Sequence, residues 1–351
     1  RDYVNDWYFD VDVYRHHGHT VLDQLSGGRP THQAFGNWVV AVMKMVPFMK
    51  YRQVAAWCSV ALLLGAAASL SIQSLNWGLD FTGGTLVEVS YPAPTNPEQI
   101  RLNLDNAGWN GHVVQYFGSD RDILVRMPPQ KLLSDKDNAR LGDRLFGALS
   151  TAADGQIDLR RSEFVGPAVG EELANQGGLG LLAALAMVLL YVSFRFQLKF
   201  ALGAVIALFH DVLFTLGIFS LLRWEFDLTV LAALLAVIGY SLNDTIVVSD
   251  RIRENFRQSR RGKSSDIIDE SLNQTLGRTM ITSLTTLLVL FALLILGGEL
   301  IRGFAIALII GVVVGTYSSI YVAANVLLRL NLSREDLIVP VKEGADLDGE
   351  P

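Results

Sequence analysis

The stretch Ala236-Val-Ile-Gly-Tyr-Ser-Leu-Asn-Asp-Thr-Ile-Val-Val-Ser-Asp-Arg-Ile-Arg-Glu-Asn255 places a carboxylate, Asp244, inside an apolar run that then breaks into charge. An ionisable side chain inside a membrane span is costly unless it faces protein or water, so such a residue is a functional candidate by default. We therefore take Asp244 as the working centre of a membrane protein.

The composition of the whole chain agrees with that class. Half of the 351 residues are hydrophobic, 18% are charged and the mean hydropathy is +0.32, which is too apolar for a soluble globular protein of this size. The net charge of -6 says little about partners, because the position of each charge decides its effect in a membrane protein. The single cysteine, Cys58, leaves no disulfide within these residues and no cysteine-based metal site.

Six apolar runs are long enough to cross about 30 Å of hydrocarbon as helices. These spans 1 to 6 are residues 54–72, 178–194, 200–222, 228–248, 276–296 and 304–328. Small residues four apart predict close contacts between helices. They are Gly180 with Ala184, Gly203 with Ala207, and Gly311 with Gly315.

The lysines and arginines predict the orientation of the spans. They crowd before span 1, between spans 2 and 3, between spans 4 and 5, and after span 6, and such residues favour the cytoplasmic side. Both termini are therefore predicted to be cytoplasmic, with residues 1–50 as an extension and 331–351 as a tail. Residues 34–51 suit a helix on the membrane surface, although a plain lead-in to span 1 fits as well.

Residues 73–175 are predicted to form a periplasmic α+β domain. The patterns predict strands over 84–91, 112–117, 122–127 and 157–165, and helices over 97–108 and 135–151. The order β-α-β-β-α-β is the ferredoxin-like arrangement. The predicted fold class is an α-helical membrane protein with six transmembrane helices and one ferredoxin-like α+β extracytoplasmic domain between helices 1 and 2.

Spans 3 to 5 carry polar residues that need partners inside the membrane. They are Asp211, next to His210, in span 3; Asn243 and Asp244 in span 4; and Arg278 in span 5. Because spans 4 and 5 are antiparallel, Asp244 and Arg278 are expected at one depth, where they can form an ion pair or a proton relay.

Two interpretations of these residues stay open. Low dielectric favours the neutral form of a carboxyl group and a nearby guanidinium favours its charged form, so opening or closing the pair would move a proton and couple the chain to a gradient. Alternatively, Asp244 and Arg278 form a static pair that fixes packing, or Arg278 extends to the cytoplasmic interface. Asp211 is a second relay candidate, although a local bond to His210 explains it equally well.

A glycine pair follows span 1 in Trp77-Gly-Leu-Asp-Phe-Thr-Gly-Gly-Thr85. Gly83 and Gly84 predict a tight turn into the first strand, and Asp80 is a candidate to cap that turn. No lysine follows, so a phosphate-binding loop is not expected. His16, His17 and His19 lack an acidic or cysteine partner at a regular spacing, and we find no nucleophile elbow, zinc motif or nucleotide fingerprint. Neither an enzyme, a metal nor a cofactor is therefore expected.

Five motifs occur in a fixed order along the chain. They are Trp77–Thr85, Glu163–Gly170, Ala207–Asp211, Gly239–Asn255 and Arg278–Ser283. Together they resemble the SecF family of bacterial protein-export membrane proteins, and the likeness runs from about Pro47 to Arg334. Residues 1–40 are longer and more polar than the family pattern.

The resemblance implies a function and a set of partners. It implies pairing with SecD in a bundle of the resistance-nodulation-division type in the bacterial cytoplasmic (inner) membrane, association with the SecYEG channel, and use of the proton-motive force to pull a translocating preprotein outward. YajC and YidC are further candidate partners, the membrane lipid surrounds the spans, and no nucleic acid is expected. The acid of the family matches Asp244, its basic partner matches Arg278, and the outer domain would belong to the part that moves.

Two other functions stay open from the sequence. The chain could be half of a proton-driven small-molecule or lipid exporter of the same superfamily, although about 100 outer residues are few for a substrate-binding domain. It could also be a purely structural subunit of a translocon in which Asp244 and Arg278 are inert.

Overall fold

The computed structural model describes residues 45–109, 111–130, 138, 140–153, 155–259, 262–333 and 336. The chain divides into two units, residues 1–46 and 47–351, and every element below belongs to the second. The three histidines, most of the predicted surface helix and most of the predicted tail lie outside the described residues. Where the predicted surface helix would end, Phe48–Tyr51 form a turn of 3-10 helix.

The described elements follow one another in this order. The first half contains α1 (Arg52–Gln73), β1 (Asn76–Trp77), α2 (Leu79–Thr82), β2 (Gly84–Ser90), α3 (Pro97–Asn106), β3 (Val113–Phe117), β4 (Ser119–Met127), α4 (Leu141–Ala152) and β5 (Asp158–Val165). The second half contains α5 (Pro167–Arg195), α6 (Leu198–Leu221), β6 (Glu225–Phe226), α7 (Leu228–Gln258), α8 (Ser264–Leu296), α9 (Arg302–Ser318), a π-helical turn (Ser319–Ala323) and α10 (Ala324–Arg329).

Six helical stretches of the described residues are long and apolar enough to cross a membrane: α1, α5, α6, α7, α8 and the run from Glu299 to Arg329. This number confirms the predicted six spans. Three helices continue past the apolar runs, because α5 begins at Pro167, α7 ends at Gln258 and α8 begins at Ser264. Hydropathy marks only the part of a helix that is apolar, whereas the backbone hydrogen bonds continue into polar sequence.

The predicted ferredoxin-like domain is confirmed between α1 and α5. Its four strands lie in the order β3-β4-β2-β5, and all three neighbouring pairs are antiparallel. The alternating residues Val87 and Val89 on β2 and Ile123 and Val125 on β4 pack with Leu145 of α4 in one buried core. Period-2 burial of this kind fixes the register, since a shift by one residue would turn these side chains to the other face.

A second, very short sheet was not predicted. Asn76 and Trp77 of β1 pair in parallel with Glu225 and Phe226 of β6. Two residues are too few for an alternating pattern, so the sequence carries no signal for this pairing. It joins the segment before the outer domain to the connection between α6 and α7.

Small residues bring some of the membrane helices into contact. A side chain added at Gly311 of α9 would overlap Val237 of α7, and one added at Gly315 would lie 3.0 Å from Cβ of Ser241. Gly180, by contrast, has no heavy atom within 4 Å of such a position. The spacing of small residues therefore predicts the contact of α9 with α7 correctly, whereas Gly180 makes no close contact among the described residues.

Gly84→Ala is expected to destabilise the outer domain. Gly84 has a φ of 128°, and a Cβ there would clash with the carbonyl oxygen of Met127. Overpacking against backbone together with strain at positive φ costs at least about 2 kcal/mol. Gly108→Ala is the matched control, because its φ of 82° brings the strain with no atom within 4 Å. Limited proteolysis in membranes measures the effect, and equal resistance of the two variants would contradict the expectation.

Glu88→Gln is expected to stabilise the outer domain at pH 7. Burial raises the pKa of Glu88, with Arg161 opposing that effect. A folded pKa above the unfolded value means that protonation favours folding, so the ionised group costs stability at neutral pH. The advantage of the variant should vanish at low pH, where Glu88 is itself neutral. Hydrogen–deuterium exchange at the amides of Val87 and Val89 measures the change.

Asp122→Asn, on the neighbouring strand β4, is the control, for which we expect the opposite change in the stability of the outer domain. A hydrogen bond from Ser119 lowers the pKa of Asp122. The ionised carboxylate therefore stabilises the folded domain above the unfolded pKa, and this contribution is lost as the pH falls through the folded pKa. The variant should reduce protection at pH 7, and a gain in protection from both substitutions would refute the assignment.

Candidate functional site

Asp244 bridges three helices inside the bundle. Its side chain lies on the face of α7 that also buries Val237, Ser241 and Val248, a spacing that keeps these residues on one side of a helix. One carboxylate oxygen accepts a hydrogen bond of 2.6 Å from the Thr279 hydroxyl of α8. The other accepts one of 2.6 Å from the hydroxyl of Ser319, at the start of the π-helical turn.

Asp211 of α6 is a second buried carboxylate. Its relative exposure is 0%. One oxygen lies 3.0 Å from Nδ1 of His210, and the other accepts hydrogen bonds from the hydroxyls of Ser241 at 2.6 Å and Ser318 at 2.7 Å. This carboxylate therefore joins α6 to α7 and α9.

Two consecutive serines connect the carboxylates. Ser318 donates to Asp211 and Ser319 donates to Asp244. Each serine also has a backbone carbonyl of its own helix within reach, that of Gly315 at 3.1 Å or that of Thr316 at 3.0 Å. Turns of π-helix inside α-helices are frequent at functional sites, and this one begins between the two donors.

Sequence reasoning missed the serines that hold the two acids. The available signal was a set of hydroxyl side chains within the apolar runs of spans 4 and 6: Ser241, Ser318 and Ser319. Hydroxyl groups are common in membrane helices, where they often bond to their own backbone. The signal becomes specific only when the structure shows which carboxylate each hydroxyl faces.

Arg278 is not the partner of Asp244 in this structure. Its side chain is exposed on the bundle surface, and none of the ion pairs among the described residues joins it to Asp244. Arg278 immediately precedes Thr279, and successive residues of a helix point about 100° apart. The helix therefore turns Thr279 towards Asp244 and Arg278 away from it, at nearly the same depth.

On α7, too, neighbouring residues point in different directions, as Asn243 shows. It is exposed, whereas its neighbour Asp244 is buried. The four predicted relay residues thus separate into two inner carboxylates, Asp244 and Asp211, and two outward side chains, Asn243 and Arg278. The direct ion pair that the sequence allowed is replaced by a hydrogen bond from Thr279.

The surroundings of both carboxylates are polar and almost without charge. Within the described ranges, His210 is the one basic group that pairs with either acid, and it is charged only when protonated. Nε2 of His210 and Oγ1 of Thr245 are buried without a hydrogen-bond partner among the described residues, and groups of this kind commonly bind ordered water. The described residues contain no cluster of three or more His, Cys, Asp and Glu that could hold a metal.

The glycine motif forms the predicted tight turn, but Asp80 does not cap it. Gly83 has a φ of 67°, and a side chain there would lie 2.9 Å from Cα of Pro167. The Asp80 carboxylate instead accepts a hydrogen bond of 3.0 Å from the backbone N–H of Leu228, the first residue of α7. The expected cap therefore acts on another helix, which chain order alone does not show.

Two family descriptions match this chain. "Protein export membrane protein SecD/SecF, C-terminal" matches residues 146–333, and "SecD/SecF GG Motif" matches residues 68–91. The first match covers more than half of the chain and contains both carboxylates. The second contains Asp80 and the two glycines.

Related proteins are named as protein translocase subunit SecF. The chain is 50% identical to a protein translocase subunit SecF of Vibrio alginolyticus over 315 residues, which are 89% of this chain and 99% of the relative. It is 51% identical to a SecF of Pseudomonas aeruginosa over 84% of this chain and 94% of that one. A SecF of Escherichia coli O157:H7 is 47% identical over 86% of this chain and 94% of its own length.

Two solved structures show a similar fold. The chain matches a crystal structure of SecDF from Thermus thermophilus, described as a translocon-associated membrane protein, with a TM-score of 0.73 and 39% identity over 84% of this chain. It matches SecDF in a super-membrane-facing form with a TM-score of 0.62 and 39% identity over 83% of this chain. In both cases the chain spans 39% of the length of the SecDF chain.

Thr279→Val is expected to destabilise the bundle. The substitution keeps the shape of the side chain but leaves one oxygen of buried Asp244 without its donor, which costs about 1–3 kcal/mol. Thr282→Val is the control on the same helix, because Thr282 is exposed and its hydroxyl bonds only to carbonyls of α8. Unfolding in mixed micelles measures the difference, and equal losses would count against the contact.

Proposed function

The chain belongs to the SecF family of protein translocase subunits, and on this premise we propose that it acts with SecD as an accessory subunit of the Sec translocase. It uses the proton-motive force to promote preprotein export across the bacterial cytoplasmic membrane. The observation that carries the coupling is the pair of buried carboxylates, Asp244 and Asp211, which neutral hydroxyl groups hold inside the membrane bundle.

The hydroxyl groups make both carboxylates suitable for binding and releasing protons. A buried charge is costly unless a cation and further hydrogen bonds compensate it. Here the donors to Asp244 are the neutral hydroxyls of Thr279 and Ser319, so the charge is only partly compensated. Protonation removes that charge, and its return requires contact with water or a cation.

The two serines allow each acid to change state without losing its partner. A serine hydroxyl has one proton, which it donates to an ionised carboxylate. When the carboxyl group becomes protonated, it donates to the serine oxygen, and the serine proton turns to the helix carbonyl nearby. Gly315 and Thr316 supply those carbonyls at 3.1 and 3.0 Å. Ser318 and Ser319 thus keep Asp211 and Asp244 bonded in either protonation state.

Arg278 supplies the cation in another conformation of the bundle. It lies beside Thr279 on α8, so a rotation of α8 by about 100° would exchange the hydroxyl for the guanidinium beside Asp244. The guanidinium would favour the charged carboxylate and so drive release of the proton. Asn243 lies next to Asp244 on the outward side, where it can pass a hydrogen bond to water.

The exposed polar face of the bundle is the surface that SecD covers. Arg278, Asn243, Thr282 and Thr285 are exposed at the bundle surface, and an arginine in contact with lipid at this depth would be costly. A second bundle of helices offers partners for these groups. The SecDF structures, of which this chain spans 39% of the length, support such a partner.

The remaining assignments rest on charge distribution and on the family. Lysines and arginines at the ends of the spans support a cytoplasmic location of both termini, with residues 1–50 and 331–351. Residues 73–175 then lie in the periplasm, where the ferredoxin-like domain moves during the cycle. The partners are the SecYEG channel and the translocating preprotein, with YajC and YidC as further candidates.

Asp244→Asn is expected to abolish the gradient-dependent part of export. Asparagine keeps the size of the side chain, accepts from one of the two hydroxyls and donates to the other, but cannot bind or release a proton. In inverted membrane vesicles with SecD, preprotein translocation should fall to the level measured without a gradient, while the ATP-driven part persists. Asp250→Asn is the matched control, because Asp250 is an exposed acid on the same helix. Gradient-dependent export at the normal rate would refute the coupling.

A further inference from the structure

The motif before the outer domain is bound to the start of the helix that carries Asp244. The backbone N–H of Gly78 donates a hydrogen bond of 2.8 Å to the carbonyl of Phe226. Two residues later, the Asp80 carboxylate accepts a bond of 3.0 Å from the N–H of Leu228. That N–H is one of the first four of a helix, which have no partner within the helix, and the negative charge also suits the helix dipole.

Further contacts hold the same junction. Arg126 of β4, in the outer domain, forms an ion pair with Glu225 of β6. The rings of Phe81 and Phe226 stack at 5.8 Å between centroids, and Trp77 packs edge-on against both. The motif therefore binds the connection between α6 and α7 through backbone and aromatic contacts, and the outer domain adds an ion pair.

These contacts form a non-covalent link between the outer domain and the connection from α6 to α7, which are not adjacent in the chain. The covalent connections of the outer domain lead to α1 and α5. Asp80 stands four residues before Gly84, where β2 begins, and the end of the short helix α2 and Gly83 lie between them. A movement of β2 therefore pulls directly on Asp80, and through it on the N-terminus of α7.

The helix α7 is continuous from these contacts to the buried acid. Asp244 lies 16 residues after Leu228 (244 minus 228), or about 24 Å along a helix that rises 1.5 Å per residue. At that point the carboxylate is held by two hydrogen bonds of 2.6 Å, from Thr279 and Ser319. O–H···O bonds have lengths of about 2.5–3.0 Å, so a tilt or slide of the helix by about 1 Å would break them.

We propose that Asp80 is a positioning residue that couples the outer domain to Asp244 by pinning the first turn of α7. The inference rests on the proposed function, in which the outer domain moves as Asp244 changes protonation. Asp227 provides a contrast at the same helix end. It caps α7 from within the connection, accepting bonds from the N–H of Val230 and the hydroxyl of Thr229, and among the described residues it forms no hydrogen bond to the outer domain.

The test measures the position of the outer domain in the full complex with SecD in lipid nanodiscs. Spin labels at Asn106→Cys in the domain and Leu300→Cys in the bundle, both at exposed positions, report the distance by double electron–electron resonance. The native Cys58 is replaced by serine. Asp244→Asn serves as the mimic of the protonated acid, and its effect on the distance is compared in three backgrounds: unchanged Asp80, Asp80→Ala and Asp227→Ala.

The expected result distinguishes a link through Asp80 from a general effect on the stability of α7. Asp244→Asn should shift the distance distribution when Asp80 is unchanged, and the shift should be lost with Asp80→Ala but kept with Asp227→Ala. Asp80→Asn retains an acceptor oxygen and should restore the shift, which excludes misfolding as the cause.

Some outcomes would contradict the role of Asp80 alone, and another would contradict the coupling of Asp244 to domain movement. A shift that persists in Asp80→Ala, or that is lost equally in Asp227→Ala, overturns the role of Asp80 while the proposed function stands. If Asp244→Asn leaves the distance unchanged with Asp80 intact, protonation and domain movement are independent, and the coupling on which the inference rests fails.

Discussion

A carboxylate that has left water must be surrounded by donors, and this requirement shapes the centre of the bundle. Asp244 takes its donors from α8 and from the π-helical turn, and Asp211 takes its donors from α7 and α9. Four helices are therefore held in register by two acidic side chains. Hydroxyl donors satisfy the oxygens of the acids without adding a charge of their own.

The position of the outer end of the bundle depends on this alignment of the four helices. The first turn of α7 has two acidic partners, Asp227 from its own connection and Asp80 from the base of the outer domain. A helix transmits displacement along its axis because its backbone hydrogen bonds are satisfied internally. The outer domain therefore contacts the first turn of α7, and the buried Asp244 lies further along the same helix.

The exposed face of α8 shows that the bundle is built for a partner. Arg278 and Thr282 lie outside, beside the buried Thr279, and a charged side chain facing lipid would oppose folding in the membrane. A second bundle supplies the polar surroundings that this face requires. The guanidinium of Arg278 lies on the exposed side of α8, next to Thr279, which donates to buried Asp244.

The sequence by itself determined the six spans, the order of the ferredoxin-like strands and the presence of costly acids in spans 3 and 4, because hydropathy and period-2 alternation are local properties of the chain. Only the tertiary structure decided which groups meet. Helix rotation turned Thr279 rather than Arg278 towards Asp244, and packing of α9 against α6 brought Ser318 to Asp211. The capping of α7 by Asp80 joins residues 148 positions apart. Contacts of this kind depend on the azimuth and depth of each helix, which composition and spacing do not record.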